Sequence, residues 1–226
     1  MNNYAEVVAI VEGKTEQVFI ASVLTPYLAE RNVYLSATQV SKPGQKGGDV
    51  RFDRTLADIG LHLKQRPNTY ITTMVDYYGL KSWPGLEQLP ALATPAQIAD
   101  ALNRAAYDSV VARFAPQQAE RRFIPFMVMH EFEALLFSNS EILAGELGIR
   151  QADIDRVIAH SGGPEGINNS PHTAPSKRLD GWSAHGKFAK TTVGITLADR
   201  IGIPRIREQC PLFDRWLSQM EALVGA

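Results

Sequence analysis

Cysteine is almost absent from this chain of 226 residues, which contains only Cys210. A single cysteine excludes an internal disulfide framework and a cysteine-rich zinc site. An excess of charge of one sign is also lacking, because 23 Lys and Arg residues are balanced by 24 Asp and Glu residues, for a formal net charge of −1. The protein as a whole therefore does not attract a polyanion, and nucleic-acid binding would need a local basic patch or a bound metal ion.

Long apolar runs are missing too, and the uninterrupted ones fall far short of the ~20 residues that a membrane span needs. The segment Met1–Glu6 lacks the basic stretch followed by an apolar stretch that is typical of a signal peptide. With 45% hydrophobic and 21% charged residues, the composition is that of a chain that buries a sizeable core. We therefore expect a soluble, cytoplasmic protein.

The hydrophobic pattern alternates between strands and helices over residues 1–137. Strands are predicted at Tyr4–Val11, Val33–Val40, Thr69–Val75 and Phe123–Met129, with helical periodicity between them. This alternation is typical of an α/β fold with a mostly parallel sheet flanked by helices. After residue 137 only helical patterns follow, so we predict an α/β core at 1–137 and a helical C-terminal part at 138–226 packed on it.

The sequence matches two well-known motifs only in part. Gly13 and Lys14 follow a strand as in a P-loop, but Val8 stands where the first glycine of that motif is required. His130 and Glu131 begin like the zinc-protease motif His-Glu-x-x-His, but Ala134 occupies the position of the second histidine. These substitutions exclude an ATP-binding P-loop and a zinc protease.

Carboxylates follow three of the predicted strands. In an open α/β sheet, ligands bind beyond the carboxyl ends of the strands, so these acids are expected at one edge. They would repel one another unless a cation lay among them, and oxygen ligands suit Mg²⁺ or Mn²⁺. Taken singly, such acids also have ordinary roles as helix-start, turn-capping or solvated residues. The predicted metal ligands are Glu12, Glu16, Asp76, Glu131 and Glu133.

Two of these acidic segments resemble the motifs of Toprim domains. They are Glu12–Glu16 (Glu-Gly-Lys-Thr-Glu) and Asp76–Gly79 (Asp-Tyr-Tyr-Gly), each preceded by an apolar strand. Toprim domains are the metal-binding catalytic domains of topoisomerases, primases and overcoming-lysogenisation-defect (OLD) type nucleases. A finer resemblance, to a family of uncharacterised bacterial Toprim-like proteins known as domain of unknown function 4276, adds His130–Ala134 and Pro175–Arg178 and spans nearly the whole chain.

The resemblance implies a Toprim-like, Rossmann-like fold and a nuclease, or phosphodiesterase, that depends on Mg²⁺ or Mn²⁺. Toprim domains carry Asp-x-Asp after this strand, whereas the second position here is Tyr78, so Glu131 or Glu133 would supply the missing ligand. Glu12 would be a general acid/base or a metal ligand. Related families occur in bacterial phage-defence systems beside an ATPase, which implies an ATPase partner.

Basic residues near the motifs are candidates for contact with nucleic-acid phosphates, because a cation near a metal site neutralises charge that develops on a transferring phosphoryl group. Lys177 or Arg178 would have this catalytic role, although both also suit a solvated helix start. The candidate phosphate-binding residues are Lys14, Lys177, Arg178 and Lys187. DNA and RNA both remain open as substrates, as do two alternatives, a non-catalytic binding or regulatory subunit and an enzyme acting on a small phosphoester.

Overall fold

The computed structural model describes residues 3–42, 45–46, 50–167, 170, 172–184 and 186–225. It is an α/β protein whose sheet is mostly parallel, as the alternation of patterns predicts. The strands are β1 (Ala5–Val11), β2 (Val33–Gln39), β3 (Ser41–Lys42), β4 (Gln45–Lys46), β5 (Tyr70–Asp76), β6 (Phe123–Ile124) and β7 (Met127–Val128).

Helices fill most of the remaining chain. The α-helices are α1 (Lys14–Phe19), α2 (Thr25–Ala29), α3 (Phe52–Gln65), α4 (Pro95–Phe114), α5 (Ala119–Arg122), α6 (Ser140–Leu147), α7 (Gln151–Ser161), α8 (Pro175–Trp182), α9 (Ile195–Ile201), α10 (Ile203–Gln209) and α11 (Pro211–Glu221). Two π-helical turns occur among the described residues, at Ile20–Leu24 and Lys190–Gly194. The 3₁₀ segments are Leu86–Gln88, Ala115–Gln117, Phe132–Ser138 and Pro164–Gly166. None of the described helices combines the length and hydrophobicity of a membrane span.

The main sheet has the strand order β2-β1-β5-β6, and β7 also pairs with β5. β1 is a central strand, flanked in parallel by β2 and β5, so that Val7 lies opposite Leu35 on one side and Tyr70 on the other. Residues from Val7 to Val11 are all buried. An apolar run of this kind fits a strand that is covered on both faces of a sheet, which explains why the sequence pattern alone predicts it.

The chain divides into two compact units. The first unit contains residues 1–75, 80–127 and 216–226, and the second contains residues 76–79 and 128–215. The sequence-based division at residue 137 differs from this one in where it places residues 76–79, 128–137 and 216–226.

In the first unit, one tryptophan from the end of the chain packs on the sheet region. The Trp216 ring stacks on Phe126 with 4.4 Å between ring centroids, and its indole N–H donates to Thr72 Oγ1 at 2.8 Å. A buried tryptophan needs such a partner for its N–H, because an unpaired buried donor costs ~1–3 kcal/mol. Trp216 is therefore a packing residue.

The centre of the second unit is the 3₁₀ segment Phe132–Ser138, in which every residue is buried. Helices α6, α8, α9 and α10 and the turn Lys190–Gly194 all contact it. Because so many elements pack around this segment, the residues at its start are held in a defined position. Two of the predicted site residues, Glu131 and Glu133, lie there.

The structure differs from the predicted strands in two places. The predicted strand Phe123–Met129 is two short strands, because Pro125 has no backbone N–H to donate to the ladder. The antiparallel pair β3 and β4, which follows β2, is not among the predicted strands.

Candidate functional site

The second unit brings three acidic side chains together around one lysine. Asp76 is the last residue of β5, Glu131 and Glu133 lie at the start of the segment Phe132–Ser138, and Lys190 opens the π-helical turn Lys190–Gly194. The charges of all three acids act on the Lys190 ammonium. We call Asp76, Glu131, Glu133 and Lys190 the acid–lysine cluster.

Hydrogen bonds fasten Asp76 to the segment that carries the other two acids. Asp76 Oδ1 accepts the backbone N–H of Phe132 at 3.1 Å. The backbone N–H of Tyr78 donates to the carbonyl of His130 at 2.8 Å, so the turn after β5 runs beside the approach to Glu131. Asp76 therefore has a fixed position at the start of the buried segment Phe132–Ser138.

Glu131 is held by both of its carboxylate oxygens. Oε1 accepts the hydroxyl of Ser176 at 2.8 Å, and Oε2 accepts the backbone N–H of the same residue at 2.9 Å. Ser176 lies in the first turn of α8, where a negative charge is favourable because the helix dipole is positive at its N-terminus. Glu131 thus has a structural role, and each oxygen keeps a further lone pair for another partner.

Glu133 is the most deeply buried acid of the cluster, with 2% of its side chain exposed, and it forms an ion pair with the ammonium of Lys190. Burial raises the pKa of Glu133, and the charge of Lys190 offsets only part of that rise. Burial lowers the pKa of Lys190, but the charges of Glu133, Glu131 and Asp76 and the hydrogen bond to Glu133 outweigh burial and leave it raised. Lys190 is therefore protonated at neutral pH, and it compensates the buried Glu133 incompletely.

The acids have the chemistry of a divalent-cation site. Three carboxylates and one ammonium leave a formal charge of −2 when all are ionised, which one Mg²⁺ or Mn²⁺ would balance. Carboxylate oxygens are the ligands that both ions prefer. No group of three or more His, Cys, Asp or Glu side chains is arranged to hold a metal ion within the described ranges. The chemistry of the three acids therefore suits a divalent ion, whereas metal binding by them stays a prediction.

His130 precedes Glu131 and is buried, with 5% of its surface exposed. Burial lowers the pKa of His130 to about 4, so its ring is neutral at pH 7. Its Nδ1 has no hydrogen-bond partner among the described residues, and its ring centroid lies 5.5 Å from that of Tyr77. In the sequence, His130 is only one residue of a motif. The structure shows that this residue, which precedes Glu131, has a neutral imidazole.

Three of the predicted site residues, Glu12, Lys14 and Glu16, lie in the first unit. Glu16 is buried and its Oε2 accepts the backbone N–H of Gly13 at 2.9 Å, which is the contact of a helix-start residue. Glu12 is half-buried directly after β1, and Lys14 is exposed. That Glu12 meets Asp76 at one metal site stays a prediction.

The predicted phosphate-binding residues all belong to the second unit apart from Lys14. Lys177 and Lys187 are exposed, whereas Arg178 is half-buried and donates through Nε to the carbonyl of Thr173 at 2.9 Å. That hydrogen bond ties Arg178 to the loop before its own helix. Phosphate contact by these residues stays a prediction.

The sequence pattern does not connect Lys190 with the acids among which the structure places it. Gly194 ends the same π-helical turn, and a Cβ there would lie 3.3 Å from the Phe188 ring and 3.8 Å from Phe132. The end of the turn therefore packs closely against these two rings. π-Helical turns are frequent at functional sites, and this is the one signal that marks Lys190.

Comparison with known proteins identifies the family. The family model described as "Domain of unknown function (DUF4276)" matches residues 11–221, so the chain belongs to this family. No curated protein and no solved structure matches the chain.

Proposed function

We propose that this member of the DUF4276 family is a nuclease, a phosphodiesterase that depends on Mg²⁺ or Mn²⁺, of the Toprim type. The observation that supports the proposal best is the acid–lysine cluster, whose three carboxylates have a formal charge of −2 together with Lys190. A buried uncompensated charge is costly, so a bound divalent counter-ion would stabilise such a cluster. The order of the motifs along the chain and their resemblance to Toprim motifs support phosphodiester cleavage as the reaction.

The residues of the cluster divide into those that would hold the metal and those that would contact substrate. Asp76, Glu131 and Glu133 would hold the ion, with Glu131 kept in place by Ser176. The bound ion would supply Lewis acidity at a phosphate oxygen. Lys177, which is exposed in the first turn of α8, would contact the phosphate and reduce its charge.

Other parts of the proposal come from the resemblance to OLD-type nucleases. Glu12 and Glu16 follow β1 in the Glu-Gly-Lys-Thr-Glu motif, and Glu12 would be a general acid/base or a further metal ligand. The remaining phosphate contacts would come from Lys14, Arg178 and Lys187. The substrate would be DNA or RNA, and the protein would act with an ATPase partner in a bacterial phage-defence system.

A plasmid-nicking assay with Mn²⁺, run on the purified chain alone and with any ATPase that is encoded beside it, tests the proposal. The parent protein should convert supercoiled plasmid to nicked circles or degrade single strands, and Asp76→Asn should not. Asp155→Asn removes an exposed acid on α7 and is the matched control, which should keep parental activity. Parental activity that survives both Asp76→Asn and Glu133→Gln would show that the cluster is not the active site.

A second candidate, a non-catalytic Toprim-like subunit, is favoured by one observation. The second acid of the Toprim motif is replaced by Tyr78, and Glu131, one of its two substitutes, uses both oxygens to hold Ser176. This candidate predicts metal binding at the cluster without turnover. Titration of the protein with Mn²⁺, followed by assays on DNA, RNA and a small phosphodiester, separates the two candidates.

A further inference from the structure

Lys190 lies at the border between the acid–lysine cluster and solvent. Its side chain is 42% exposed, whereas the Glu133 side chain with which it pairs is 2% exposed. The ammonium therefore reaches the buried acid from outside, and it can withdraw into water without opening the core. The lysine stem carries several rotatable bonds, which makes that movement a change of rotamer rather than of backbone.

The position of the ammonium is one that a metal ion would need. Lys190 forms an ion pair with Glu133 and also interacts electrostatically with Glu131 and Asp76. These three acids are the candidate metal ligands. A divalent ion bound by these acids would be repelled by an ammonium in contact with Glu133. The two cations therefore compete for one set of carboxylates.

We propose that Lys190 is a built-in counter-cation of this site, which a divalent ion must displace from Glu133 in order to bind. The inference rests on the proposed metal site. It states which residue determines the affinity and the selectivity of that site for cations. A doubly charged ion gains more from three carboxylates than the ammonium does, whereas Na⁺ or K⁺ brings no more charge than Lys190 already supplies. The lysine thus keeps the metal-free protein stable and lowers its affinity for every cation.

Removing the lysine charge gives the clearest test. In Lys190→Met, Mn²⁺ no longer competes with an ammonium, so its Kd should fall by about tenfold, a change of ~1.4 kcal/mol. The metal-free variant should melt at a lower temperature than the parent, because Glu133 has lost its partner, and saturating Mn²⁺ should restore most of the loss. Lys190→Arg keeps the charge and should bind Mn²⁺ with nearly parental affinity.

The measurements are isothermal titration calorimetry and thermal melting of the full chain with MnCl₂ or MgCl₂, at an ionic strength held constant with NaCl. Lys81→Met is the matched control, since it removes an exposed lysine outside the acid–lysine cluster and should change neither the Kd nor the melting temperature. Lys190→Gln is a second neutral variant and should reproduce the tighter binding. A variant that folds only when Mn²⁺ is present would also support the inference.

The outcomes separate this inference from the proposed function. If Asp76→Asn abolishes Mn²⁺ binding but Lys190→Met and Lys190→Gln bind it no more tightly than the parent, the metal site stands and the counter-cation role is wrong. If Asp76→Asn binds Mn²⁺ like the parent, or if neither the parent nor the Lys190 variants bind it, the proposed site itself is wrong. Tighter binding in both neutral variants, together with parental binding in Lys81→Met, supports the inference.

Discussion

Glu131 accepts two hydrogen bonds from Ser176, one from the backbone N–H at 2.9 Å and one from the hydroxyl at 2.8 Å. The two residues are 45 positions apart and lie in two separate segments of the chain, His130–Ala134 and Pro175–Arg178. The contact joins these segments, because the acid of one holds the first turn of the helix that begins with the other. The same contact keeps Glu131 beside the other acids of the cluster.

Removing the Ser176 hydroxyl should destabilise the protein. Ser176→Ala loses one hydrogen bond to a buried carboxylate but keeps the backbone one, so the free energy of unfolding should fall by ~1.5–3 kcal/mol. Urea denaturation measures the change. Ser109→Ala is the control, since that hydroxyl donates to the neutral carbonyl of Ala105 at 2.8 Å and its loss should cost less. Equal losses for the two variants would mean that the charge of Glu131 contributes nothing to the contact.

Stability should depend on pH through Glu165, a buried acid that accepts the backbone N–H groups of Leu212 at 3.0 Å and Phe213 at 2.9 Å. Burial, only partly offset by these hydrogen bonds, raises the pKa of Glu165 to about 7 from an ordinary 4.5. The folded state therefore binds more protons than the unfolded state between these two values. The contribution of Glu165 to stability is full below pH 4.5, falls as the pH rises to about 7, and is constant above that.

The expected size of this loss is on the order of 3 kcal/mol between the two limits. The measurement is the free energy of unfolding by urea at pH 5 and pH 8, in the parent and in Glu165→Gln. The difference between the two pH values should shrink in Glu165→Gln and stay parental in Glu87→Gln, which changes an exposed acid. An unchanged pH dependence in Glu165→Gln would contradict the raised pKa.

Arg122 should be one of the most sensitive positions of the first unit. Its buried guanidinium donates to several backbone carbonyls, each of which would lose this donor on substitution; they belong to Leu63, Arg66, Gln117 and Thr69. Arg122→Met should lower the free energy of unfolding by ~3 kcal/mol or more, since each buried acceptor left unpaired costs ~1–3 kcal/mol. Chemical denaturation measures the loss. Arg121→Met changes the exposed neighbour, and a loss as large as that of Arg122→Met would contradict the role of the buried hydrogen bonds.

Gly60 marks a close contact between α3 and α4. A Cβ at this position would overlap the ring of Phe114, so Gly60→Ala should destabilise the protein by ~1–3 kcal/mol despite the higher helix propensity of alanine. Phe114→Leu in the same chain should recover part of the loss, which a double-mutant cycle of unfolding free energies would show. Gly145→Ala, in a helix with open space at the Cβ, should instead be neutral or stabilising. A stabilising Gly60→Ala would show that the helices adjust without cost.

Much of the fold follows from local chemistry in the sequence. The buried run Val7–Val11 predicts the central strand, because only a strand covered on both faces accepts apolar residues at every position. The start of α4 is predicted by Thr94 and Gln97, and the structure confirms both hydrogen bonds of that capping box. Where a single residue overrides the pattern, as Pro125 does in the predicted fourth strand, hydrophobicity alone gives the wrong element.

The candidate site contains contacts that the sequence does not predict. Asp76, Glu131 and Glu133 can be identified from the sequence because each follows a predicted strand. In a parallel sheet, residues at such positions lie at one edge. Lys190 and Ser176 could not be assigned to them, because contacts across 57 and 45 positions depend on how helices pack around the buried segment Phe132–Ser138. Burial also shifts the pKa of Glu133 and of Glu165, and no local pattern distinguishes these acids from solvated ones. Tertiary packing therefore decides the charge balance of the site, because the electrostatic energy of an acid depends on the groups and the solvent that surround it.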